Sequence, residues 1–361
     1  MSVTSESFIF DPRPNYPFLV TAKRYRKGQT QRNSSAGGYT LIFAHGTGFH
    51  KEQWEPTIEH LWEQVSASKG IDIREVWSID CPNHGDAAIL NETTLQWVYQ
   101  ETFRWEEYAR AIYLFITGQG KGVLPDTDFS KHKLIGIGHS MGAISLLLTL
   151  TYPLPHTYST QDVSKSLWHS LILVEPMLFP LQAGKSTGIN LAKGAEGRRD
   201  IWPSKSEALA AFRQRGSFKS WDKRVLEIFC EYGLRDLPTA DYPDKKEGVT
   251  LKCSKIQEAA CYRDPQGPVR AYNYLHTACS IIPVHVIYGA IDDYMPAEVK
   301  EVVIAEAAGG KFASVRRVPN AGHLVVQVNP RQLAEAIFED LVQSRVSSEG
   351  NLKLEWAVSK L

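Results

Sequence analysis

Residues Lys133-Leu-Ile-Gly-Ile-Gly-His-Ser-Met-Gly-Ala-Ile-Ser-Leu-Leu-Leu-Thr149 decide the fold. A short apolar, β-rich run narrows to Gly138-His139-Ser140-Met141-Gly142 and opens into an apolar pattern of helical spacing. The order is strand, sharp turn, helix, with a serine at the turn between two glycines. Such a turn strains the backbone at Ser140, and its neighbours at minus two and plus two must be small for the helix to pass the strand. The hydroxyl then stands at a helix N-terminus, where unpaired N–H groups can stabilise an oxyanion. A bare G-x-S-x-G string arises often by chance. The strand before it and the helix after it make this one a nucleophile elbow.

Working outward, residues 39–44 (Tyr-Thr-Leu-Ile-Phe-Ala) form a continuous apolar run, as expected of a strand covered on both faces. The run ends in His45-Gly-Thr-Gly48, a loop of the kind that brings backbone N–H groups towards an elbow serine. Further strands are expected at 7–11, 19–25, 75–80, 167–174, 283–289 and 312–318, and helices at 51–65, 105–117, 296–308 and 330–342. Alternating strands and helices with short connections predict an α/β fold. It is a mostly parallel sheet with helices on both faces. Between 177 and 280 the strand rhythm stops and helical segments at 204–214 and 221–232 appear among Pro-, Gly- and charge-rich loops. This stretch is expected to be a helical cap inserted over the site. Residues 1–176 and 281–345 then form the core, and 346–361 a C-terminal tail.

Composition narrows the class. The 361 residues are 43% hydrophobic and carry 40 basic and 40 acidic side chains, so a basic nucleic-acid surface is not expected. The five cysteines are dispersed without a C-x-x-C, which fits free thiols in a reducing compartment. No secretory leader and no membrane-spanning run is read, so the chain is expected to be soluble and intracellular. The terminal Ser359-Lys360-Leu361 reads as a peroxisomal address taken by an import receptor.

The chain order Ser140, acid, His323 is that of the α/β-hydrolase fold. A serine hydroxyl needs a base at neutral pH, and an imidazole titrates in the right range. His323, in an Ala-Gly-His loop after the last strand, is the candidate base, whereas His84 in Cys81-Pro-Asn-His-Gly85 reads as a turn-shaping residue. Two carboxylates compete to orient the imidazole. Glu175 follows the strand after the elbow, and Asp292 lies in Gly-x-x-Asp after the next, the commoner position; the pattern alone favours Asp292. Neither a cofactor nor a metal is expected.

The chain also resembles fungal peroxisomal α/β-hydrolases of secondary metabolism, including the acyl-CoA hydrolase of mycophenolic acid biosynthesis and hydrolases of host-selective toxin clusters. The likeness runs through His45-Gly-Thr-Gly48, Lys51-Glu-x-x-x-Glu55-Pro56, Gly136-Ile-Gly-His-Ser-Met-Gly142 and Leu173-Val-Glu-Pro176. It continues through Asp200-Ile-Trp-Pro-Ser204, Arg235-Asp-Leu-Pro238 and Gly322-His323-Leu324. That resemblance implies that Glu175 is the triad acid, where an aspartate stands in the relative. It implies an acyl-CoA thioester as substrate, with the N–H groups of Met141 and of Thr47 or Gly48 as oxyanion donors. Coenzyme A phosphates would meet cap or rim cations, for which Arg198, Arg199, Lys219, Lys223 and Arg224 are candidates. A carboxylic-ester hydrolase or lipase, an acyltransferase or cyclase, and a non-enzymatic binding protein on the same fold are the alternatives.

Overall fold

Strands buried on both faces need a hydrogen-bonded neighbour at each edge and a helical layer on each side. The computed structural model, which describes residues 3–27, 38–68, 70–123, 127–154 and 166–358 (side chains of 181–187 and 346–358 excepted), has that arrangement. Its main sheet comprises β1 (Val3–Phe10), β2 (Val20–Lys27), β3 (Tyr39–Ala44), β4 (Ile73–Ile79), β5 (Lys133–His139), β6 (Ser170–Val174), β7 (Val284–Gly289) and β8 (Ser314–Val318). The spatial order is β1-β2-β4-β3-β5-β6-β7-β8. Only β2 runs against its neighbours β1 and β4; every other pairing is parallel. The apolar runs of β3, β6 and β7 are buried at every residue.

Side chains alternate across this sheet into two cores. Leu134, Leu171 and Leu173 face the layer formed by the helices Trp105–Ile116, Met141–Thr149 and Gly267–Ile281. Ile135, Ile137, Ile172 and Val174 face the helices Glu55–Ala67 and Pro330–Val358. The chain reverses direction of travel across the sheet between β3 and β5. A doubly wound sheet opens a crevice at such a switch point, beyond the C-terminal strand ends. His45-Gly-Thr-Gly48 leaves β3 there and Ser140 leaves β5 there.

Between β6 and β7 the chain forms the helices Leu181–Gly197, Lys205–Gln214, Lys223–Gly233, Lys255–Tyr262 and Gly267–Ile281. A small antiparallel sheet, ordered Ile201–Trp202, Val249–Leu251, Leu234–Asp236, joins them. Trp202, Phe212, Trp221 and Phe229 give this region its own core, and Phe49 and Leu324, next to the functional loops, pack against it. The Gly267–Ile281 helix differs: Ala271, Leu275 and Ala278 join the main core, so packing ties this part of 177–280 to the sheet. The last helix, expected to stop near residue 342, runs Pro330–Val358. Ser359, Lys360 and Leu361 lie outside the described residues. Among those described, no helix is long and apolar enough to cross a membrane.

Candidate active site

The elbow is built by close approach. A Cβ on Gly142 would lie 2.3 Å from the Ala44 carbonyl oxygen, and one on Gly138 would lie 2.6 Å from the backbone of Gly142 and Ala143. Only glycine lets helix Met141–Thr149 cross β5 and β3 at this distance. The turn is completed by Ser140 itself, with φ 53° and ψ −116°. A non-glycine residue held there costs on the order of 1–3 kcal/mol, which the surrounding packing must offset.

Three side chains converge at the strand ends. Ser140 Oγ lies 3.1 Å from His323 Nε2, and His323 Nδ1 lies 3.3 Å from Glu175 Oε2. Glu175 is completely buried and also has a left-handed backbone, φ 45°. Its other oxygen accepts from the Gly289 amide at 2.6 Å and from Lys300 Nζ at 3.1 Å. Burial opposes ionisation of this carboxyl, but His323, Lys300 and the Gly289 amide outweigh it and hold its pKa below the usual 4.5. The group is therefore an anion at neutral pH, suited to orienting an imidazole.

His323 is fixed through its backbone as well. Its amide donates to Asp293 Oδ1 at 2.8 Å, and its carbonyl accepts from His139 Nε2 at 2.8 Å. His139 is thereby an Nε2–H tautomer, and burial pushes its pKa down to about 3. The Tyr294 ring stacks on the His323 ring at 4.9 Å. Asp292, favoured by the Gly-x-x-Asp pattern, is directed elsewhere: its carboxylate pairs with Lys300 at 2.9 Å and Arg317 at 3.0 Å. Lys300 stands between the two competing carboxylates, and Glu175 alone of the pair reaches the imidazole.

The expected oxyanion donors divide. Met141 is the first residue of its helix, so its amide has no acceptor within that helix. The Thr47 amide has no acceptor among the described residues, while its hydroxyl donates to Met141 Sδ at 3.4 Å. Gly48 does not fit the expectation, because its amide is already donated to His84 Nε2 at 2.9 Å.

Ser140 and His323 open onto a cavity of about 410 Å³. Its wall includes Trp105, Phe179, Trp202, Phe212, Phe218 and Trp221, an aromatic surface supplied largely by the insertion. Of the five cations expected near coenzyme A, only Arg198 and Arg199 line it. Arg224 pairs with Glu59 on the Glu55–Ala67 helix, and Lys219 and Lys223 are exposed and do not line the cavity. Arg215, exposed, lines the cavity instead. Arg198 is paired with the buried Glu258 at 3.0 Å, and burial raises the Glu258 pKa despite that partner. Among the described residues, no cluster of three or more His, Cys, Asp or Glu side chains is arranged to hold a metal.

The sequence pattern of the alpha/beta hydrolase family matches residues 41–336. The chain belongs to that family. Among curated relatives, the chain is 31% identical over 215 residues to the type I acyl-CoA thioesterase mpaH of Penicillium roqueforti, covering 58% of this chain and 43% of that one. It is 29% identical over 264 residues to the peroxisomal membrane protein LPX1 of Saccharomyces cerevisiae, covering 70% and 61%. The resemblance drawn from the motifs is thus met by these relatives, although the chain spans less than half the length of mpaH. Its fold is also that of the solved peroxisomal alpha-beta-hydrolase Lpx1 of the same yeast, with a TM-score of 0.67 at 20% identity over 100% of this chain and 98% of that one.

Four residues that matter to this geometry carried no sequence signal: Lys300, Asp293, His139 and Arg215. Lys300 sits on the buried face of the Ala297–Val302 helix, where an apolar residue is the default. A lysine in that phase of a short helix is visible only once the helix is docked.

Proposed function

We propose that this hydrolase cleaves acyl-CoA thioesters by acyl transfer through Ser140 to water. One observation carries the reading: a serine 3.1 Å from an imidazole that is itself 3.3 Å from a buried carboxylate, at the floor of an aromatic cavity. Ser140 Oγ attacks the thioester carbonyl while His323 Nε2 takes its proton, and Glu175 stabilises the imidazolium. The amides of Met141 and Thr47 receive the oxyanion. Collapse breaks the C–S bond, and His323 protonates the departing thiolate. His323 then deprotonates a water that attacks the acyl-enzyme, and the second collapse returns the proton to Ser140 Oγ and releases the free acid.

The names of the mpaH relatives support the choice of thioester over ester. The aromatic wall suits an apolar acyl group, and Arg199 and Arg215 are the cations proposed to meet coenzyme A phosphates. A peroxisomal setting is proposed from the yeast relative's name and from Ser359-Lys360-Leu361.

The test is a panel of acyl-CoAs and p-nitrophenyl esters followed by free thiol and nitrophenol. Thiol release from at least one acyl-CoA is expected. Brisk ester cleavage with no thioester turnover would instead assign a carboxylic-ester hydrolase. For location, an N-terminally tagged fluorescent fusion is expected in punctate organelles and, without Leu361, in the cytosol.

A further inference from the structure

The oxyanion loop is held from outside the three converging side chains. Gly48, with φ 83°, donates its amide to His84 Nε2 at 2.9 Å. An imidazole nitrogen that accepts cannot also carry a proton, so the His84 proton must lie on Nδ1. That nitrogen faces Asn83 Oδ1 at 2.7 Å. With its oxygen so used, Asn83 turns its Nδ2 towards Gln257, 3.3 Å from both the carbonyl and the Oε1 of that residue. Gln257 belongs to the insertion helix Lys255–Tyr262. The next residue of that helix, Glu258, places its carboxylate 3.0 Å from where a Cβ on Gly48 would stand. One helix of the insertion therefore braces Gly48 twice, by a hydrogen-bond relay to its amide and by direct packing on its Cα.

We infer that His84 is a positioning residue for the oxyanion loop, acting through Gly48 and oriented from the insertion by Asn83 and Gln257. By occupying the Gly48 amide, His84 fixes this peptide and leaves the neighbouring Thr47 amide as an uncommitted donor beside Ser140. The imidazole must remain neutral to do so, since a second ring proton would face the Gly48 N–H. Its surroundings favour that state. His84 is fully buried, and burial, with the nearby His45, Arg198 and His50, keeps its pKa well below 6.5. The loop histidine thus neither touches substrate nor moves a proton. Its contribution is a fixed acceptor.

This inference rests on Ser140 being the nucleophile, and its test separates the two. In the unmodified protein, ¹⁵N-histidine labelling should give His84 as a neutral Nδ1–H tautomer throughout pH 5–8, assigned by loss of its signal in His84→Gln. An Nε2–H tautomer or an imidazolium in that range overturns the inference, and this arm needs no turnover to give its answer. In turnover, His84→Leu removes the acceptor and should lower kcat by about 10- to 100-fold with KM changed less than about 3-fold, a partial loss of one oxyanion donor. Phosphonylation of Ser140 by a fluorophosphonate should slow by a similar factor. His84→Gln, which offers an amide oxygen near the Nε2 position, should recover most of the loss. Equal damage in both variants would mean that the ring only fills space, and kcat within 2-fold in the leucine variant would mean that the loop does not depend on it. If no acyl-CoA is turned over but the fluorophosphonate reacts, the thioesterase reading fails while the phosphonylation rates still judge His84. If Ser140 does not react at all, the nucleophile assignment fails first.

Discussion

The C-terminal edge of the parallel sheet and the insertion above it are held by different forces. At the sheet edge, position is set by backbone and by charge. Ser140 is fixed by its strained turn, His323 by both of its peptide groups, and Glu175 by the imidazole, an amide and a lysine. In the insertion, position is set by aromatic contact. Phe212 packs on Phe218 at 4.7 Å, Trp202 at 5.1 Å and Phe229 at 5.6 Å, and Trp221 lies 4.8 Å from Phe218. Hydrogen bonds fix atoms to a few tenths of an ångström, as bond making requires. Ring contacts tolerate repacking when total volume is kept. The contrast fits the proposed division, with chemistry at the sheet edge and substrate shape in the insertion.

Substitutions can break this division. Ser140→Ala should lower kcat by about 10³-fold or more with the fold intact, read by turnover beside a melting curve. Glu175→Gln should cost about 10²- to 10⁴-fold, because the amide favours the wrong imidazole tautomer, while Asp292→Asn stays within about 3-fold. The reverse order of damage would return the acid's role to Asp292 and remove the sheet edge's claim to precision. In the insertion, Phe212→Ala should shift the chain-length preference in kcat/KM by about 10-fold, as expected for emptying part of an apolar wall. A short p-nitrophenyl ester should be turned over within about 3-fold of the unmodified rate. Arg199→Ala or Arg215→Ala should raise KM for acyl-CoA by about 3- to 10-fold and leave that ester unaffected.

The smallest effect is on stability against pH, and two buried histidines at the sheet edge contribute to it. Burial lowers the pKa of His139 to about 3 and of His45 to about 4 from 6.5. Below pH 6.5 the unfolded chain binds protons that these folded rings refuse, so stability falls as pH drops towards 4. Each ring contributes up to roughly 1.4 kcal/mol per pH unit in that window. Glu175 acts lower: its depressed pKa gives stability that is present above 4.5 and lost as pH falls through the folded value. Urea unfolding at pH 7.5, 6.5, 5.5 and 4.5 should show the decline, and His139→Gln should make it shallower, with the share of His45 remaining.

The two regions also differed in how far they could be read from sequence. The sheet was legible because its strands are short apolar runs and its elbow needs glycines at fixed offsets, both local signals. Ser140, His323 and Thr47 follow from motif and chain order. The choice between Glu175 and Asp292 was not local. Their strands end side by side, and what separates them is Lys300 and Arg317, which draw Asp292 aside from a helix and a strand further along the chain. Gly48 misled because its motif predicts a free amide, and only the fold brings His84 against it. In the insertion, residues 204–214 and 221–232 were recognisable from periodicity, whereas Ile201–Trp202, Leu234–Asp236 and Val249–Leu251 are too short to alternate convincingly. The rim cations could not be sorted, since a run such as Lys219 to Arg224 says nothing of which way each side chain leaves its segment.

Lys300 has a consequence for how the site answers to salt. Glu175, Lys300, Asp292 and Arg317 form an alternating row of two negative and two positive charges, with Lys300 itself fully buried. The row closes on itself electrically, so its field fades within a short distance and leaves little for dissolved ions to screen. The imidazolium and oxyanion of the proposed cycle would appear and vanish together beside it, adding no net charge. Raising ionic strength should therefore leave kcat nearly constant. The same salt should lower kcat/KM for acyl-CoA, because Arg199 and Arg215, which have no ion pair among the described residues, would attract a polyanion across open water.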